Sequence, residues 1–199
     1  MRPISLLRRF GRRTDGVTAI ETAFILPIFL GLVGSTFEVG WVFFRTATVE
    51  AVASDAARMV MTGRAPQAGA IQGASCATGS DCFYERICDR VEVFGDCDDH
   101  LSVEVRSFET MTEAVAYTTA ATCPNSAGYD RSQMEYDPGD RNSYAMVRIC
   151  FTAKTFNPLI KGGVDLADNE DGTKAIIAVQ VRRNEPFLSN DQLNPNEVL

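Results

Sequence analysis

Gly16 and Glu21 stand five residues apart at the head of a long apolar run, directly behind a cluster of arginines. The chemistry this spacing permits is done to the chain rather than by it. A glycine lets an extended backbone lie in a protease site with no side chain to clash. A peptidase at the membrane surface could therefore cut after Gly16 and free the amine of Val17. Glu21 would then be the fifth residue of the shortened chain, about one helical turn from that amine. An unpaired carboxylate is expensive inside a bilayer. In an assembly, the Val17 ammonium of an adjacent subunit could neutralise it.

The elements that must position these residues can be read from charge and hydropathy. Residues 1 to 16 hold five arginines against Asp15, a net +4, which leaves −11 for the rest of a chain whose total is −7. Clustered arginines beside an apolar segment stay in the cytoplasm, which orients the segment and sends the C-terminal part of the chain outside. From Val17 to Phe44 the residues are apolar or small, apart from Thr18, Glu21, Thr22, Ser35, Thr36 and Glu38. As a helix this stretch would rise about 42 Å, more than the roughly 30 Å hydrocarbon core of a bilayer. Trp41, Phe43 and Phe44 sit where an aromatic belt belongs, at the outer end. Pro27 would break a soluble helix but is tolerated in a membrane one. Glu38, near the outer end, and Pro27 are candidate intramembrane contacts.

Beyond Phe44 the pattern stays helical. Ala47, Val49, Ala51, Val52, Ala53, Ala56, Ala57 and Val60 recur at spacings near 3.6, with Glu50, Asp55 and Arg58 between them. Gly63 and Pro66 are stop signals. The expectation is one helix of about 45 residues, half in lipid and half packed under a sheet. A short amphipathic helix is expected over 81–91, with Ser80 as its cap. Strands are expected at Leu101 to Arg106, Ala145 to Phe151 and Thr173 to Arg182 from their alternation, with Ala175, Ile177, Val179 and Val181 on one face of the third. Thr110 to Ala121 reads as a short helix or a loop edge, and Tyr129 to Ser143 as turn-rich.

Six cysteines, Cys76, Cys82, Cys88, Cys97, Cys123 and Cys150, all fall beyond the apolar segment. An even count in a chain delivered across a membrane reads first as disulfides. Of the 15 pairings that six cysteines allow, we expect Cys88 with Cys97 and Cys123 with Cys150, leaving Cys76 with Cys82. Cys97 and His100 have ligand-like spacing, but His100 is the only histidine and no Cys-x-x-Cys occurs, so no metal site is expected. Asp165 to Asp171 lack the spacing of a calcium loop, and Asp171-Gly172 is a turn signal. No nucleophile–histidine pattern, phosphate loop or dinucleotide fingerprint is present, so neither an enzyme nor a cofactor is expected. The acidic body argues against nucleic acid as a partner.

The N-terminal region resembles that of type IV pilin-like proteins, and more closely the TadE/TadG-type minor pilins, or pseudopilins, of the tight-adherence (Flp) pilus system. The resemblance is carried by Arg12-Arg13-Thr14-Asp15-Gly16, Ala19-Ile20-Glu21-Thr22-Ala23, Leu26-Pro27, Phe37-Glu38-Val39-Gly40 and the small-residue run Ala51 to Arg58. Ile87 to Arg90 with Cys97, the strand from Leu101, and Arg183 to Phe187 also fit. Thr22 stands where the major Flp pilin has an aromatic residue, and no room exists for a von Willebrand-like domain, so the likeness is to the shorter TadE or TadF type. The resemblance implies a protein of the bacterial inner membrane with a periplasmic domain, processed by a prepilin peptidase. It implies partners among other pilin and minor pilin subunits and the inner-membrane assembly platform, within the lipid bilayer. It casts Gly16 as the residue before the cut, Val17 as the new N-terminus and Glu21 as the recognition and assembly carboxylate.

The expected fold is α+β: a long N-terminal helix on a small, mainly antiparallel, disulfide-stapled sheet. The expected order is a basic leader (1–16), a spanning helix (17–44), its continuation (45–63), an extracytoplasmic domain (64–187) and a tail (188–199). Two other readings compete. In one, Ala51-Val52-Ala53 is a signal-peptidase site that releases a soluble domain. In the other, the helix is a plain anchor for a scaffold or binding domain unrelated to pili.

Overall fold

The computed structural model describes residues 15–64, 78–117, 119, 121, 123–124, 134–155 and 172–186. Helix α1 runs unbroken from Asp15 to Met61, through Pro27. It ends where Gly63 takes a left-handed φ of 67°. There the amides of Gly63 and Arg64 donate back to the carbonyls of Val60 and Met59, at 3.0 and 2.9 Å. That double bond closes the last turn and needs a residue tolerant of positive φ, which glycine is. The described residues fall into two compact units, one up to Trp41 and the other from Val42 onward.

In the second unit, α2 (Gly79–Val91) is followed by a 3₁₀ turn (Glu92–Phe94) and a short α3 (Cys97–His100). The cap of α2 is Thr78, whose hydroxyl accepts from the Asp81 amide, and not Ser80, which lies inside the helix. The reason is position. The Thr78 backbone is extended, as an N-cap requires, and its oxygen reaches the amide three residues on. Strands β1 (Leu101–Phe108), β2 (Tyr144–Lys154) and β3 (Thr173–Arg183) form an antiparallel sheet in that order. Between β1 and β2, α4 (Met111–Ala116) is held by a capping box in which Thr110 and Glu113 exchange hydrogen bonds. On the outer side of β1, the Val105 amide and carbonyl bond Glu135 and Asp137, each at 2.9 Å. This blunts an otherwise open sheet edge.

The core lies between one face of the sheet and the two longer helices. Val49, Val52, Ala53, Ala56, Ala57 and Val60 of α1 are buried in the same cluster as Phe83, Tyr84, Ile87 and Val91 of α2. The sheet contributes Leu101, Val103 and Val105, then Val147, Ile149 and Phe151, then Ile176 and Ala178. These sets are in register, with Val103 opposite Ile149 and Ile149 opposite Ala178. Alanines on the buried face of α1 let its backbone approach the sheet closely, while the valines fill the gaps. Each large side chain so buried contributes about 1.5–3 kcal/mol. The Tyr84 hydroxyl, inside this core, donates to the Cys97 carbonyl at 2.8 Å, so it is not left unpaired.

The strands lie where the alternation places them, with β1 running on to Phe108 and β2 to Lys154, but β3 faces differently from what its composition suggests. Ile177 and Val179 belong to the more apolar set, yet are 49% and 48% exposed, while Ile176 and Ala178 are buried.

Candidate functional site

The residues of α1 singled out from the sequence, Gly16, Val17, Glu21, Pro27 and Glu38, fall in the first unit. Gly16 lies in the first turn and is exposed, with nothing within 4 Å of a Cβ placed there. The side chain of Val17 lies outside the described residues. Glu21 is exposed on the same helix, five residues on from Gly16, a rise of about 7.5 Å. A peptidase acting after Gly16 would have to unwind this turn, and a glycine there lowers the cost of doing so.

From Ile20 to Phe44 the helix exposes large apolar side chains almost without interruption. Phe24 is 73% exposed, Ile28 69% and Phe37 77%. In a water-soluble protein such a surface would be a severe liability, whereas in lipid it is the required one. Residues 18–61 are the one helix among those described that is long and apolar enough to cross a membrane. The hydroxyl side chains in the run are satisfied by the helix itself. Thr22 donates to the Thr18 carbonyl at 2.8 Å, Ser35 to Gly31 at 2.6 Å and Thr36 to Leu32 at 2.9 Å. Pro27 sits inside the helix without ending it. The two acids differ: Glu21 is exposed, while Glu38 is 8% exposed and engaged within the chain.

Two of the expected disulfides are present in the second unit, Cys88–Cys97 and Cys123–Cys150. Cys82 is disulfide-bonded and fully buried, and its expected partner Cys76 lies outside the described residues. Because Cys97 is committed to Cys88, it is not available as a metal ligand beside His100. His100 instead shares a hydrogen bond with the Thr152 hydroxyl at 3.1 Å. No group of three or more His, Cys, Asp or Glu placed to hold a metal ion occurs among the described residues. The Asp165 to Asp171 stretch lies outside the described residues, while Gly172 takes a φ of 79°, as the turn signal anticipates.

Sequence reading missed a polar cluster on the outer face of the sheet. Arg148, 6% exposed along its side chain, pairs with Glu104 at 3.4 Å and donates to the Thr119 carbonyl at 2.8 Å. Arg106 pairs with Glu104 and Glu135, and the Tyr117 hydroxyl reaches Glu104 at 3.2 Å. Burial works to lower the Arg106 pKa, but the hydrogen bond and charge of Glu104, with Glu135, outweigh it and hold it above its usual value. Both guanidiniums lie against the Tyr117 ring, at 4.9 and 5.1 Å. With the Cys123–Cys150 bridge, the cluster fastens the segment after α4 to the sheet. Alternating Glu104, Arg106 and Arg148 on facing strands was the available signal, since register places Glu104 opposite Arg148.

Arg45 is also buried. It donates to the Lys154 carbonyl at 3.2 Å and lies 5.8 Å from the Phe94 ring centroid, which ties the start of the second unit to the end of β2.

Comparison with known proteins adds one finding. Residues 16–58 match the family described as TadE-like protein. The match opens at Gly16, takes in Glu21, Pro27 and Glu38, and closes at Arg58, within the buried Ala-rich half of α1. It covers about a fifth of the chain, and the sheet lies outside it. No curated protein and no solved structure matches the chain.

Proposed function

We propose that this protein is a single-pass membrane protein of a Tad/Flp-type pilus system, a minor pilin that acts in assembly of the filament. The observation that carries the proposal is one continuous helix whose first 30 residues expose apolar side chains and whose TadE-like match begins at the glycine before the apolar run. Such a helix is laterally mobile in lipid until it finds other helices.

In this reading the prepilin peptidase cuts after Gly16 on the cytoplasmic side, and the Val17 amine becomes the N-terminus. Glu21 then lies within the headgroup boundary while the subunit is free in the membrane. On docking into an assembly of like helices it loses that solvation. A carboxylate stripped of that solvation and left unpaired is costly. The ammonium of a neighbouring Val17 supplies the pair, so the cost falls only when subunits stack in the correct register. The second unit, stapled by disulfides and packed on the Ala-rich half of α1, is carried on the periplasmic side. Its role is to prime, cap or anchor the pilus. The helix itself supports contact with the bilayer, the assembly platform and the other pilin subunits.

The test is Glu21→Ala in cells that make the pilus. Membrane levels of the protein should be unchanged while surface pili are lost. Normal piliation with Glu21→Ala would instead favour a plain anchor carrying a domain unrelated to filament assembly.

A further inference from the structure

Among its described residues, the second unit of this acidic chain gathers unpaired positive charge in a groove of about 350 Å³ between α1 and α2. Its floor is apolar, formed by Val52, Ala56, Met59 and Ile87. Its rim holds Arg58, Arg64, Arg86 and Arg90. Arg90 is paired with Asp55 at 3.3 Å, with both side chains more than half exposed. Arg58, Arg64 and Arg86 are exposed and have no ion-pair partner among the described residues. Three unpaired guanidiniums over an apolar floor fit a ligand that is apolar at its tip and acidic around it.

The same unit presents that shape elsewhere. The turn after α2 exposes Glu92, Val93, Asp96 and Asp99, and Val93 is 76% exposed, the tip of the projection. The turn is held rigidly. Phe94 packs edge-on against Phe44 and Phe151, at 5.8 and 6.3 Å, and the Cys88–Cys97 bridge closes its base. A pre-formed projection of this kind loses little freedom on docking.

Turn and groove do not meet within one molecule. The turn lies beside Phe44 and the groove beside Asp55 to Thr62, so along α1 they are separated by roughly 20 Å. A second copy lying alongside the first, offset sideways and displaced by that distance along the helix direction, would bring its acidic turn to the first copy's basic groove. We infer that the Glu92–Asp99 turn of one copy docks in the Arg58/Arg64/Arg86 groove of another, with Val93 on the apolar floor. The two surfaces differ, so the contact is head-to-tail, and each copy keeps a free turn and a free groove for the next. The contact involves only the surface of the second unit. Its failure would leave the pilus reading standing, and failure of that reading would leave this contact untouched.

The experiment uses the full chain in detergent with Val93→p-benzoylphenylalanine as a photo-cross-linker. Cross-linked dimers and higher species are expected, joining position 93 to peptides from 52–64 or 86–90. Their yield should fall by about 5-fold or more at about 0.5 M salt, because exposed charge pairs are screened there. Arg58→Glu with Arg86→Glu should abolish the cross-link. Adding Glu92→Arg and Asp99→Arg on the photo-active partner should restore it, a rescue that misfolding could not produce. Cross-links to detergent or to other surfaces, or a yield indifferent to salt and to charge reversal, would overturn the proposal.

Discussion

The Tyr136 hydroxyl is buried beside the Phe83 ring with no hydrogen-bond partner among the described residues, and burial pushes its pKa up to about 12. The folded state therefore holds this proton more tightly than the unfolded chain does. The corresponding stability is fully present below the ordinary tyrosine value of about 10 and is lost as pH rises from there toward 12. Tyr136→Phe should remove that part of the alkaline slope. It should also leave stability at neutral pH unchanged or slightly higher, because an unpaired buried hydroxyl costs about 1–3 kcal/mol. Denaturant titrations of both proteins in detergent at pH 8 and pH 11 measure the difference. An equal loss of stability in both proteins would show that folding does not raise the Tyr136 pKa. Glu21 is the contrasting case at this scale. It is exposed in the single chain, and in the proposed reading its carboxylate is buried only on assembly.

Among the elements, β3 tests whether register or composition decides the core face. Ile176 sits opposite Phe151 and is 3% exposed, while its neighbour Ile177 is 49% exposed. Ile176→Ala should cost about 2–5 kcal/mol, as for other large-to-small core changes. Ile177→Thr should stay within about 0.5 kcal/mol. Thermal unfolding of the two variants separates them, and equal costs would contradict the register. The sequence could not make this choice. Lys174, Gln180 and Arg182 dilute the core-facing set, whereas the other face runs Ala175, Ile177, Val179 and Val181 with no polar residue between them. Alternation revealed a strand but not which face was covered. By contrast, α1 was legible to within a few residues, because Ala and Val at helical spacing and the Gly63 stop act locally. The Thr78 cap was not legible. Thr78 and Ser80 are equally good capping types, and only backbone conformation distinguishes them. The basic groove was invisible for a related reason, since Arg58 and Arg86 come together only through the packing of α2 on α1.

At the scale of the whole molecule, three independent features point one way. The arginines lie before the apolar helix, the cysteines lie after it, and the helix itself is clothed in side chains that water would not tolerate. In the proposed orientation the arginines stay in the cytoplasm, and the bridges of Cys88, Cys97, Cys123 and Cys150 form in an oxidising compartment on the other side. The TadE-like match runs through both the apolar and the Ala-rich halves of α1, so the likeness to that family lies in the helix and its N-terminal junction, not in the sheet. The most direct measurement is therefore the intact mass and N-terminal sequence of the protein extracted from membranes of cells with an active prepilin peptidase. The account predicts a chain beginning at Val17. A chain that still begins at Met1, or one that begins at Ser54, would contradict it.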